Sequence, residues 1–384
     1  MSTNPTDRDA RDEEAEPMIV GACSSTCAPR YEVFRHRVRG DTPRRGMSEL
    51  RQIAEQLVAE GKGILAADES NGTMDKRLKA AGVEPSEETR RSLRDVLFAT
   101  EGAAEHISGV ILYDETFRQS ASDGTPFAQL LEGQGIVPGI KVDTGAKPLA
   151  GSEQEKVTEG LDGLRERLAE YHEGGARFAK WRAVIAIDDD LPSRYCIHVN
   201  AHALARYAAL CQEAGIVPIV EPEVLMDGSH TIDRAEEVTR EVQTVVFAEL
   251  RAQRVELEGM LLKPNMVLAG YDCSEQPGDE EVAERTLRCL RRHVPAAVPG
   301  IVFLSGGQSD EDATNRLNLM NRMGPQPWEI SFSYGRGLQA AALNAWRGES
   351  ANVEAAQAQY RHRARCTGAA RRGEYSEDME RELA

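Results

Sequence analysis

Lysines and carboxylates recur at the ends of short apolar runs. "GMLLKPN" at 259 carries Lys263 directly before Pro264, "FAKWRAVI" at 178 carries Lys180 and Arg182, and "VPGIKVD" at 137 carries Lys141 and Asp143. "IVPIVEPE" at 216 ends in Glu221 and Glu223, and "GILAAD" at 63 runs into Asp68, Glu69 and Ser70. An unpaired ammonium is costly inside an apolar run. Lys263 therefore either snorkels to the surface at a strand end or is held there for chemistry, because a partly neutral lysine is a nucleophile. Neighbouring cations and a dry pocket favour the neutral amine, and Lys180 and Lys141 are the expected neighbours of Lys263. Schiff-base formation also needs a proton donor and acceptor to remove the carbinolamine hydroxyl. Glu221 suits that role, and Asp68 can take a proton from a substrate hydroxyl.

Residues two apart on a strand share a face. Lys180 and Arg182 are thus expected on one face with Trp181 on the other, and Glu221 and Glu223 share a face across Pro222. "GIVFLSGG" at 300 ends in Ser305, Gly306 and Gly307, and "WEISFSYG" at 328 leads through Ser333, Tyr334 and Gly335 to Arg336. Small residues with free backbone amides beside an arginine suit a phosphate. A tight turn accounts equally well for Gly306 and Gly307 taken alone.

These groups need a frame that brings strand ends together. Eight apolar runs, the seven above plus "GVILYDE" at 109, alternate with amphipathic stretches such as "SEETRRSLRDVLFATEG". Strands buried on both faces read as continuous apolar runs, and their alternation with helices implies a parallel sheet. The expected fold is α/β: a single-domain (β/α)8 TIM barrel, whose catalytic groups sit at the C-terminal strand ends and whose last two loops commonly hold phosphate. An open doubly wound sheet fits less well, because the glycines of "GKGILAADES" precede the strand instead of following it.

The expected boundaries are 1–46, a disordered N-terminal extension that is polar, charged and rich in turn formers; 47–348, the barrel; and 349–384, a C-terminal helix and polar tail. Met47 opens an amphipathic stretch and is a candidate start for the folded domain or for translation. The chain has 384 residues, 41% hydrophobic and 28% charged, with a net charge of -17. That charge argues against a general nucleic-acid partner. No apolar stretch approaches the roughly 20 residues of a membrane span. Seven scattered cysteines with no C-x-x-C pair read as free thiols of a cytoplasmic protein. Cys23 and Cys27 are a weak metal signal. His198 and His202 are four apart and would share a helix face, but no H-E-x-x-H or third ligand accompanies them. Ser305 lacks a nucleophile elbow. A metal-dependent barrel enzyme would show clustered His and carboxylate ligands at the strand ends, where this chain offers lysines.

"GKGILAADES", "GIKVD", "FAKWR", "IVPIVEPE", "LLKPNMV", "FLSGGQS" and "FSYGR" together resemble the signature segments of class I fructose-bisphosphate aldolase, in order and spacing, over about residues 47 to 375. The resemblance implies cofactor-free and metal-free aldol cleavage of fructose 1,6-bisphosphate, a phosphorylated sugar, into dihydroxyacetone phosphate and glyceraldehyde 3-phosphate. It implies Lys263 as the Schiff-base nucleophile and Glu221 as the acid/base of the carbinolamine steps, with Glu223 shaping its surroundings. It also implies Asp68 at the C4 hydroxyl and Lys180 as charge partner. Ser305, Gly306, Gly307, Ser333, Gly335 and Arg336 would serve one phosphate; Ser70, Thr73, Arg77, Lys141 and Arg182 would serve the other end of the substrate. A homotetramer is the assembly so implied. Another Schiff-base lyase acting on a different sugar phosphate, or a non-catalytic scaffold, are the alternatives; the second would have lost key residues, and none is lost. The chain departs from the pattern at Thr73, where many members have serine, in its 46-residue extension, and in ending "RELA" with Tyr375 its last tyrosine.

Overall fold

The structure is a computed structural model and describes residues 45–382. The extension 1–46, apart from its last two residues, lies outside them, as do Cys23 and Cys27. The first helix runs Arg45–Leu57, so Met47 falls inside its first turn and does not open it.

Ten strands follow: β1 (Gly63–Ala67), β2 (Ile107–Leu112), β3 (Val137–Lys141), β4 (Ala146–Pro148), β5 (Lys156–Thr158), β6 (Phe178–Ile185), β7 (Val217–Val224), β8 (Leu261–Leu262), β9 (Gly300–Phe303) and β10 (Glu329–Tyr334). Eight of them close a barrel in the order β1-β10-β9-β8-β7-β6-β3-β2, every neighbouring pair parallel. The eight apolar runs supply these eight strands, and the amphipathic stretches between them wrap the outside as helices. A (β/α)8 barrel is the fold.

Alternation sorts the side chains. On β6, Trp181 turns outward and packs on Tyr207 of the helix Arg194–Glu213, their ring centroids 5.6 Å apart. Phe178 and Lys180 turn inward. The Phe178 ring fills the lower barrel against β2 and β3, where a Cβ on Gly139 would lie 2.4 Å from it and one on Gly109 3.1 Å from it. Glycine at those positions makes the room. Ile64, Val217, Ile219, Leu261 and Val302 complete this buried layer, which Leu50 and Leu57 of the first helix close from below.

Two features were hidden in the sequence. β8 is two residues long, because its run begins in a 3-10 turn, Leu257–Gly259, and ends against Pro264, which has no N–H to pair. The Lys263 amide still donates to the Val220 carbonyl at 2.8 Å, so Lys263 stays on the barrel wall. An antiparallel hairpin, β4–β5, is inserted between β3 and β6. Buried Asn200 holds it by donating to the Lys156 carbonyl at 2.8 Å and accepting from the Thr158 amide at 3.2 Å. Beyond the barrel, the helix Val353–Arg371 packs on its flank, and the buried Arg363 guanidinium bonds Thr314, the Asp310 carbonyl and Glu380. No helix among the described residues is long and apolar enough to cross a membrane.

Candidate active site

Above the Phe178 layer the inward positions become charged. One cavity of about 1210 Å³ opens at the C-terminal ends of the strands. Asp68, Lys180, Glu221, Glu223 and Lys263 all line it and all are buried. Lys180 Nζ lies 2.6 Å from Asp68 Oδ2 and 3.2 Å from Glu221 Oε2. Lys263 Nζ lies 3.2 Å from Glu221 Oε1. The four groups therefore form one chain of alternating charge, Asp68–Lys180–Glu221–Lys263.

Each partner sets the protonation of the next. Burial alone would raise the Asp68 carboxyl, but the charges of Lys180 and Lys263 outweigh it and hold the pKa down at about 2. Burial likewise opposes the charged form of Glu221, and Lys180, Lys263 and Arg182 again win, so its pKa is lowered. Lys180 is pushed the other way: desolvation favours the neutral amine, yet Asp68, Glu221 and Asp143 raise its pKa. Lys180 is thus a fixed cation between two carboxylates. Glu221 Oε2 accepts no well-aligned hydrogen bond although it is buried, and the Lys180 ammonium at 3.2 Å is its ion partner.

The three lysines line one cavity, with acids set between them. Lys141 and Lys180 stand side by side in the β3–β6 register. The Lys141 ammonium, however, turns to Asp143, at 2.7 Å from Oδ1, and the ion partner of Lys263 is a carboxylate. Closure interleaves acids between the cations, because clustering ammonium groups alone in a buried layer would be far costlier.

Around this core lie the expected substrate contacts. Ser305, Gly306, Gly307, Gly335 and Arg336 line the cavity after β9 and β10. Gly306 and Gly307 have φ of +57° and +97°. Neither of their amides donates a backbone hydrogen bond among the described residues. Arg336 has no ion-pair partner among the described residues, whereas Arg182 is held by Glu223 and Arg77 by Glu69. Ser333 is the inward-facing residue of β10 next to this rim. It is buried in β10 with an unpartnered hydroxyl, facing inward one layer below Gly335. Ser70 stands at the N-cap position of the helix Asn71–Ala80 without capping it, and its hydroxyl lies 3.1 Å from that of Thr73. Strand order puts Lys141 and Arg182 across the barrel from the glycine loop, with Ser70 and Thr73 after β1. Arg77, further along its helix, shares a small side cleft with Arg336.

Sequence reading gave no role to three residues here. Asp143, on the same face as Lys141, also accepts the Arg182 amide at 3.2 Å. Glu69 receives Arg94 at 2.6 Å and Gln339 at 2.9 Å as well as Arg77. Tyr271 stands over the glycine loop. Asp143 and Glu69 carried a signal, being acids at strand ends; Tyr271, in a loop, carried none. The decoys fall elsewhere. His198 and His202 do have a third partner, Glu249 at 3.4 and 3.0 Å, on the exposed outside of the barrel. His362 and Cys366 of the C-terminal helix and Glu380 of the turn after it place possible ligand atoms within 4.8 Å of one another, outside the cavity. Tyr375 is buried beside them and donates to Glu380 at 2.9 Å.

Comparison with known proteins agrees with this geometry. The family model described as fructose-bisphosphate aldolase class-I matches residues 49–384. A probable fructose-bisphosphate aldolase class 1 of Xanthomonas axonopodis is 54% identical over 330 residues, covering 86% of this chain and 99% of the relative. A fructose-bisphosphate aldolase of Dictyostelium discoideum is 52% identical over 85% of this chain and 93% of its own. A solved structure of fructose-bisphosphate aldolase from Plasmodium falciparum, in complex with TRAP and a small-molecule inhibitor, superposes with a TM-score of 0.86. It shares 49% identity and covers 87% of this chain and 97% of that one.

Proposed function

The chain belongs to the class I fructose-bisphosphate aldolase family, and from that premise we propose the residues that carry its reaction. The activity is glycolytic: metal-independent Schiff-base cleavage of fructose 1,6-bisphosphate into dihydroxyacetone phosphate and glyceraldehyde 3-phosphate. Lys263 is the nucleophile of this reading. The observation that carries it is the buried contact between Lys263 Nζ and Glu221 Oε1, 3.2 Å, which gives the lysine a carboxylate with which to exchange a proton. One proton passed from ammonium to carboxylate leaves a neutral amine beside a carboxylic acid. The amine attacks the C2 ketone, and the acid protonates the departing carbinolamine hydroxyl to give the imine.

Asp68, held ionised by Lys180, takes the C4 hydroxyl proton as the C3–C4 bond breaks. The bonding electrons flow into the iminium, the aldehyde leaves, and the enamine on Lys263 is protonated at C3 and hydrolysed. Lys180 keeps both carboxylates charged until each is used, and Glu223 holds Arg182 beside Glu221. Ser305, Gly306, Gly307, Gly335 and Arg336 receive one phosphate. Their support is the unpaired guanidinium beside free glycine amides. Lys141, Arg182, Ser70, Thr73 and Arg77 serve the other end. Ser333, whose buried hydroxyl has no partner among the described residues, serves the same phosphate end as Arg336. A homotetramer rests on family resemblance, and a cytoplasmic setting on the five free thiols of the described residues.

Dihydroxyacetone phosphate with borohydride tests the assignment. The permanent adduct is expected on the peptide holding Lys263, and an adduct on Lys180 or Lys141 would overturn it.

A further inference from the structure

Tyr271 takes no part in the steps above. It is one of two large apolar side chains exposed among the described residues, 47% accessible; the other, Tyr195, is not at the cavity, whereas Tyr271 lines it. Its hydroxyl donates to the Gly306 carbonyl at 2.6 Å. A Cβ on Gly307 would lie 3.0 Å from that hydroxyl and 3.5 Å from Arg336 Nη2, so phenol, guanidinium and glycine loop meet at one point. We propose that Tyr271 is the positioning residue of this phosphate subsite: by holding the Gly306 carbonyl, it sets the direction of the Gly307 amide. The inference rests on the phosphate reading of the loop.

The lever is peptide geometry. In a planar trans peptide the carbonyl of Gly306 and the N–H of Gly307 point in opposite directions, so fixing one aims the other. Two successive glycines in left-handed conformations have wide conformational freedom, and without an anchor this peptide turns easily. The anchor itself is rigid. The Tyr271 amide donates to the Met226 carbonyl at 2.9 Å, and its neighbours Gly270 and Asp272 donate to His230 and Gly228 at 2.8 and 2.9 Å. Gly270 packs so closely there that a Cβ would stand 2.1 Å from the Gly228 oxygen. A clamped backbone carrying a phenol onto a loose glycine pair transfers its rigidity to the amide that an anion would use.

Tyr271→Phe keeps the ring and removes the anchor. For fructose 1,6-bisphosphate, KM should rise about five- to tenfold, as for one lost hydrogen bond, with kcat within about twofold and the melting temperature unchanged. The penalty should persist with only one of the two ketohexose monophosphates, 1- or 6-, and vanish with an unphosphorylated ketose. On an Arg336→Ala background the same change should add less than about twofold, since both act on one subsite. An unchanged KM for the bisphosphate overturns the inference. So does an equal penalty with the unphosphorylated ketose, or a fall in melting temperature and kcat together, either of which marks a general role in the rim. A wild-type enzyme that shows no preference for phosphorylated ketoses removes the phosphate reading itself, a failure visible before any variant is made.

Discussion

The two layers of the barrel interior are built on the same strands and behave as different solvents. In the lower layer the inward residues are Ile64, Phe178, Val217, Ile219 and Leu261, closed from below by the first helix. Two or four residues further along the same faces stand Asp68, Lys180, Glu221 and Lys263. At about 3.3 Å per residue the layers are only some 7 Å apart. The lower layer is held by area and fit, the upper by pairing: each buried lysine there has a carboxylate within 3.2 Å. The lesson is one of division. The apolar layer makes a wall rigid enough for an ion chain to keep its spacing, and the ion chain adds chemistry at little cost because no charge in it is left alone.

Changes in either layer sharpen that division. Lys263→Met should cost the most, about 10⁴-fold or more in turnover, as loss of a covalent nucleophile does elsewhere. Glu221 keeps its Lys180 contact, so the melting temperature should move little; a turnover loss that merely tracks unfolding would break the comparison. Phe178→Ala should do the reverse. It empties the lower layer at a cost of about 3–5 kcal/mol in denaturant unfolding, while the folded fraction keeps most of its turnover. A large fall in turnover with normal stability would show that the lower layer also tunes the chemistry.

Arg336→Ala lies at the edge of the upper layer. It should cost kcat/KM about ten- to a hundredfold with the bisphosphate, the range of a charge-assisted contact, and less with an unphosphorylated ketose. Equal losses with both would assign Arg336 to the fold of the rim. The smallest effect concerns acid. The Asp68 carboxyl is held at about 2 against an ordinary 3.8, so its folded pKa is the lower one. Its contribution, about 2 kcal/mol, is then complete above roughly pH 5 and is lost as pH falls toward 2. Asp68→Asn should flatten the unfolding free energy across that window, whereas Phe178→Ala should lower the whole curve without changing its slope. An Asp68→Asn curve as steep as wild type would place the acid lability elsewhere.

The sequence by itself determined the frame and the faces. Eight apolar runs alternating with amphipathic stretches specify a parallel barrel, because a strand buried on both sides has no polar face to show. The two-residue period placed Lys180 with Arg182 and Glu221 with Glu223. What a period reports is which side a residue faces; it is silent on which residue it will meet. Asp68 and Lys180 lie on strands that are not neighbours in the barrel, and only closure of the sheet brings them to 2.6 Å. Closure also gave Lys263 an acid as its partner and drew Arg77 toward Arg336. The hairpin β4–β5 and the Tyr271 anchor were invisible for the same reason. Each depends on a contact between loops distant in the chain, and such contacts exist only once the barrel has fixed where the loops begin and end.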